Sequence, residues 1–243
     1  MGKPKNKRFW NWVRNEESGE RTLYLNGVIA SETWYSDEVS PQMFKDDLNS
    51  GTGDITVWIN SPGGDVFAAA QIYNMLKEYA GNVTVKIDSL AASAASVISM
   101  AGDEVCMSPV GMFMIHNPST FAWGDSAEMR LAKEMLDEVK ESIINAYAAK
   151  TGRQRAMLSN LMDDETWMNA RRALRLGFID KILYEDEEPE PEETDHGFLF
   201  SRMAVTNCLI NKFQKAKPKE DKPKPPTGTP IESLEKRLSL LSR

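Results

Sequence analysis

Two stretches of this chain carry residue types suited to acyl transfer. In Ser89 to Ala101 (SLAASAASVISMA), small residues run up to a serine and an apolar helix follows. In Phe113 to Pro118 (FMIHNP), a short apolar run delivers His116 at its end. Acyl transfer needs a nucleophile, a base within reach, a group that orients the base, and donors for the developing oxyanion. The chain has two histidines, and His196 stands in an acidic tail, so His116 is the base available inside the folded part. Ser93 and Ser96 compete as nucleophile. Ser93 sits at the turn into the helix, where its hydroxyl is exposed and the following N–H groups lack intrahelical partners. Ser96 lies a turn inside, the place of a serine buried against a neighbour. A plain helix cap is the competing role for Ser93. Ser61-Pro-Gly-Gly64 joins a strand to a helix, and its two glycines permit positive φ and close approach of another backbone. That suits a second oxyanion donor and an edge for substrate, and equally an ordinary turn.

The surrounding pattern predicts what positions these groups. Thr22–Ala30, Asp54–Asn60 and Asn82–Ile87 read as strands of β-branched and aromatic residues. Ser40-Pro41 starts a helix running to Asn49, Asp65 caps one running to Ala80, and Ser93–Ala101 is the next. This alternation argues for a mostly parallel sheet in an α/β domain. Glu104–Met107 and Gly111–Ile115 form a short strand pair. Asp125–Lys150 is a long helix with Leu131, Met135, Val139, Ile143 and Ala146 in one apolar stripe. Helices over Arg153–Leu161 and Ala170–Leu176 and a strand over Phe178–Tyr184 complete the domain.

Three segments follow from this reading: a flexible, charged stretch over residues 1–20, a domain over 21–184, and a tail over 185–243. In the tail an acidic block precedes a Lys- and Pro-rich extended run. A short helix ends it, capped by Thr229 with Glu232 and carrying Ile231, Leu234, Leu238 and Leu241 on one face.

The bulk numbers fit a globular domain. Of 243 residues, 41% are hydrophobic and 27% charged. The net charge of −7 becomes +1 without the eight acids of Glu185–Asp195, so nucleic acid is not expected as a partner. No apolar run approaches the ~20 residues of a membrane span. Cys106 and Cys208 lie far apart without metal-ligand spacing and read as reduced thiols. The expectation is a cytoplasmic protein with no metal and no cofactor.

Together these motifs resemble the proteolytic subunit of the Clp protease. The matching stretches are Ile59-Asn-Ser-Pro-Gly-Gly64, Ala91-Ala-Ser-Ala94 with Gly102 after the helix, Met114-Ile-His-Asn-Pro118, Thr151-Gly152, and Ala173 to Asp180 (ALRLGFID). They cover roughly residues 20–184 in the family's order. The AASAAS, MIHNP and ETW wording is most similar to the phage and prophage head maturation branch. The resemblance implies the ClpP/crotonase-like fold, repeated strand-strand-helix units with a long handle helix. It implies Ser93 as nucleophile, His116 as base, and an oxyanion hole from the N–H groups of Gly64 and Ala94. The family's acid falls on Glu165, where bacterial relatives have aspartate; Asp164 is the alternative. Substrate would lie along Gly63, Asp65, Val66, Phe67 and Pro118. The family also implies a homo-oligomeric ring, with two stacked heptamers as one form, acting on peptide and protein substrates.

The expectation is therefore a serine endopeptidase, with or without an ATPase, cleaving scaffold or coat protein in procapsid maturation. The family's axial segment that contacts an unfolding ATPase has no counterpart in Met1 to Arg21. The alternative biology is general Clp-type degradation with a host unfoldase. A crotonase-type acyl-CoA enzyme and a non-catalytic shell subunit are the rival classes, and a Ser93–His116 pair argues against both.

Overall fold

The computed structural model describes residues 8–16, 19–29 and 41–185. The tail beyond Glu185, with its expected terminal helix, lies outside them. The centre is a run of parallel strands, β2 (Arg21–Asn26), β3 (Ile55–Ser61), β4 (Val83–Ala92) and β5 (Glu104–Met107). Val57, Ile59, Val85, Ile87 and Val105 are all buried, as expected where helices cover a parallel sheet. At one edge β8 (Lys181–Ile182) adds parallel to β5, shorter than the strand expected over 178–184.

At the other edge β1 (Trp10–Arg14) pairs antiparallel with β2. This corrects the reading of residues 1–20 as one flexible segment. Phe9 and Trp10 are buried, their rings meet edge-on at 5.0 Å, and Trp10 meets Phe44 at 5.4 Å. Their aromatic area holds the strand to the domain against the pull of its charged neighbours.

Helix α1 (Pro41–Asn49) buries Phe44 and Leu48. Helix α2 (Val66–Lys77) starts where Asp65 accepts from the Ala68 N–H at 2.7 Å, and buries Ala68, Ala69, Ile72 and Leu76. It ends near Lys77, one turn short of Ala80.

Strand β4 controls the rest. Its first half pairs with β5 through Thr84–Ile87; its second half pairs with β6 (Met112–Ile115) through Leu90–Ala92. Between them its register against β3 shifts, with Ile59 opposite Ile87 and Ser61 opposite Ala91. Leu90–Ala92, just ahead of the turn at Ser93, is therefore the bent end of a strand. Helix α3 (Ala94–Ser99) follows and is buried throughout. Strands β5 and β6 do not pair with each other as expected. The partner of β6 is β7 (Thr166–Asn169), antiparallel and absent from the sequence reading.

Helix α4 (Ser126–Thr151) opens on a capping box of Asp125 and Glu128 and stops at Gly152, whose φ of +65° lies in the left-handed region. Its buried residues, Ile143, Ile144, Ala146 and Tyr147, lie in its last third. Helices α5 (Arg155–Asp163) and α6 (Ala170–Leu176) flank β7. No helix among the described residues is long and apolar enough to cross a membrane.

Candidate active site

Ser93 stands between the end of β4 and the start of α3 with φ +55° and ψ −126°, outside the favoured regions for an L-residue. Such a conformation costs ~1–3 kcal/mol and persists only when its surroundings over-determine it. They do so here. The Ser93 N–H donates to the Met114 carbonyl at 2.9 Å, and the Ser93 carbonyl accepts from the Ser96 N–H at 2.9 Å. Ser93 makes no side-chain cap. Its Oγ instead lies 2.7 Å from His116 Nε2. The Ser93 amide and His116 are thus both referenced to β6, which aligns hydroxyl and imidazole.

The two candidate serines differ in burial. Ser96 is fully buried; its Oγ donates to the Ser93 carbonyl at 2.5 Å and lies 2.7 Å from the Tyr147 hydroxyl.

The β6–β7 ladder ends with Ile115 opposite Thr166, and His116 and Glu165 are the residues directly beyond that last pair. Glu165 has φ +47° and accepts from Trp167 Nε1 at 3.3 Å. Among the described residues three non-glycines have positive φ, and two of them, Ser93 and Glu165, belong to this site. Asp164 ends α5 as an exposed cap residue, one register step away.

The turn at Ser61–Gly64 is pressed between two backbones. A Cβ on Gly63 would come within 2.7 Å of Ser93 Cβ and 2.9 Å of the Ala94 nitrogen. A Cβ on Gly64 would come within 1.8 Å of the Ile29 carbonyl oxygen. Only glycine fits both places. Ile29 bridges Gly64 through its neighbours: the Ile29 N–H donates to the Gly63 carbonyl and the Asp65 N–H to the Ile29 carbonyl. In that pattern the N–H of Gly64 itself points away from Ile29. Neither it nor the Ala94 N–H has a backbone acceptor among the described residues. Two such donors beside a serine hydroxyl are what a developing oxyanion needs.

The remaining expected contacts are spread more widely. Asp65 is occupied as the α2 cap. Val66 and Phe67 line a groove of about 720 Å³ between α2 and α4, with Met135, Val139 and Ala146 on its far wall. Pro118 is half-buried two residues after His116.

Sequence reasoning missed a polar link beside His116. Asn117 Nδ2 donates to Asp163 at 2.8 Å, and Lys140 Nζ donates to the same oxygen at 2.7 Å. These bonds hold the Asp163 carboxyl below its usual range, Lys140 contributing most. The MIHNP and DDET wording names these residues, but only the β6–β7 pairing brings them together.

A family model described as Clp protease matches residues 6–186. The ATP-dependent Clp protease proteolytic subunit of Carsonella ruddii is 34% identical over 169 residues, covering 68% of this chain and 84% of the relative. The corresponding subunit 1 of Protochlamydia amoebophila is 31% identical over 180 residues, covering 70% and 84%. Among solved structures, a mutant ClpP1 from Listeria monocytogenes shares the fold with a TM-score of 0.58 at 24% identity, over 68% of this chain and 91% of that one.

Proposed function

Because this chain belongs to the Clp protease family and is a serine-type peptidase, we propose that Ser93, His116 and Glu165 are its catalytic triad. The observation that carries this is the 2.7 Å contact between His116 Nε2 and the Oγ of a strained Ser93. With Nε2 unprotonated, the Ser93 hydroxyl donates to it. As Oγ attacks a peptide carbonyl, its proton passes to Nε2, and Glu165 across the ladder stabilises the imidazolium. The N–H groups of Gly64 and Ala94 receive the oxyanion. His116 then returns the proton to the leaving amine, and water repeats the sequence on the acyl-enzyme.

The active form is a homo-oligomeric ring. The front of α4 supports this: Leu131 is 64% and Met135 43% exposed, so the apolar stripe is uncovered there by the described residues. Substrates are peptides and unfolded proteins, lying along Gly63 and the β6 end near Pro118. The relatives above are Clp proteolytic subunits. They favour general Clp-type degradation, with an ATPase delivering substrate, over the procapsid maturation expected from the sequence wording. That finer role gains no support from them.

The test is active-site labelling. A fluorophosphonate should modify Ser93, identified by mass spectrometry, and Ser93→Ala should lose both labelling and peptide cleavage while keeping its assembly. Labelling of Ser96 in its place, or cleavage by Ser93→Ala at the native rate, would overturn the assignment.

A further inference from the structure

Ser96 and Tyr147 form a buried polar pair that the mechanism above does not use. Ser96 is 0% and Tyr147 1% exposed. The surroundings are apolar: the Tyr147 ring meets Phe178 edge-on at 5.5 Å, and Phe178 meets Phe113 at 5.4 Å. Burying two hydroxyls costs free energy unless both are bonded, and alanine with phenylalanine would fill the same space without that cost. Both are bonded here, and the bonds run in one direction. Ser96 Oγ has a single proton, which it donates to the Ser93 carbonyl. It therefore accepts from Tyr147, whose hydroxyl donates across 2.7 Å. Burial pushes the Tyr147 phenol well above its ordinary value, so it keeps that proton.

The carbonyl at the end of this chain belongs to the peptide linking Ser93 to Ala94. That unit is planar and trans, so its C=O and N–H point in opposite directions. Gripping the Ser93 oxygen from behind sets the direction of the Ala94 N–H in front. The link begins on α4 and ends on the backbone of the nucleophile.

We propose that Ser96 and Tyr147 are positioning residues for the oxyanion hole, acting in series on the Ser93–Ala94 peptide. This rests on the functional reading above, in which the Ala94 N–H receives the oxyanion. Neither residue touches substrate. Their effect appears where charge develops and not where substrate is merely held. Removing an oxyanion donor outright costs about 10²–10³ in kcat, so a loosened donor should cost about tenfold.

The experiment uses the full-length protein with Ser96→Ala, Tyr147→Phe and the double variant. Three quantities are read on each: kcat and KM for a fluorogenic peptide, Ki for a peptide boronate, and the melting temperature. A boronate adduct on Ser93 places an oxygen in the oxyanion hole, so it reports that donor directly. Ser96→Ala should lower kcat about tenfold with KM within about twofold, and weaken the boronate in proportion to kcat/KM. Tyr147→Phe should lose less, because Ser96 keeps its own bond. The double variant should be no worse than Ser96→Ala, since Tyr147 acts only through Ser96. Unchanged kcat and Ki with a lowered melting temperature would overturn the proposal, as would losses that multiply in the double variant. If Ser96→Ala fails to fold, Tyr147→Phe decides alone by the same kcat and boronate criteria. Wild-type protein that takes no fluorophosphonate refutes the functional reading. Wild-type labelling with unaltered Ser96→Ala kinetics refutes only the positioning role.

Discussion

Gly63→Ala should separate the cost of an unfavourable backbone angle from the cost of displacing Ser93, the proposed nucleophile. Gly63 has φ +95°, and its new Cβ would lie 2.7 Å from both Ser93 Cβ and the Ala92 carbonyl oxygen, and 2.9 Å from the Ala94 nitrogen. Ordinary non-bonded separation for such atoms is about 3.5–4 Å, so the two turns must part by nearly 1 Å. A shift of that size in reacting groups costs about a hundredfold in rate, or ~2.7 kcal/mol of barrier. The φ itself costs about 1–2 kcal/mol of stability for an L-residue. Gly53 provides the control: its φ is +94°, and a Cβ there meets nothing within 4 Å. Gly53→Ala carries the same backbone penalty without the clash. Both variants should melt lower than wild type, while Gly63→Ala alone loses about a hundredfold in kcat/KM on a fluorogenic peptide. Its fluorophosphonate labelling should slow in parallel. Equal kcat/KM in the two variants, each with a comparable fall in Tm, would refute the claim that the Gly63 turn sets the position of Ser93 and Ala94.

Three further outcomes follow from the same geometry. Glu165→Gln should retain part of the activity, about 10⁻²–10⁻⁴ of wild-type kcat, since an orienting acid never takes the proton itself; a larger loss in Asp164→Asn would assign the role to Asp164. Leu131→Glu with Met135→Glu should reduce ring assembly without unfolding the subunit, because both side chains are exposed in the single chain; unchanged sedimentation would place the ring contact elsewhere. Lys140 and Asn117 lower the Asp163 carboxyl, so its stabilising effect is complete above the ordinary carboxylate range and is lost as pH falls through its depressed folded value. The melting-temperature gap between wild type and Asp163→Asn should therefore close on acidification, and a gap that widens would show the sign to be wrong.

The parts of this molecule legible in the sequence were those set by local chemistry. The β-branched run at Ile55–Ile59, the cap at Asp65 and the Gly152 stop each announce themselves within a few residues. The sequence singled out Ser93 and His116 by type and by family resemblance, and the structure brings the two side chains within 2.7 Å. What escaped was set by pairing between distant segments. Residues 10–14 (WNWVR) are a short apolar run among charged neighbours, and become a strand where Trp10 packs between Phe9 and Phe44. Residues 166–169 are too short to show a period, and become a strand because β6, paired with β4 on one side, offers them its other edge. The bend in β4 rests on a register shift against β3 that local propensity does not encode. The Ser96–Tyr147 bond joins residues 51 positions apart, so each reads alone as a core residue.

The order in which the parts of the site leave the ribosome matters. By residue 120 a nascent chain already holds Ser93, His116 and the amides of Gly64 and Ala94. It does not yet hold β7, which pairs with the strand bearing the histidine and brings Glu165 opposite it. Nor does it hold Tyr147, the far end of the bond to the nucleophile's carbonyl. Closing the β6–β7 pair joins segments some fifty residues apart, a slow step compared with local helix formation. Until then the histidine strand has a bare edge and the serine turn lacks its rear support. On the proposed mechanism the complete site is therefore assembled only when nearly the whole domain has been synthesised.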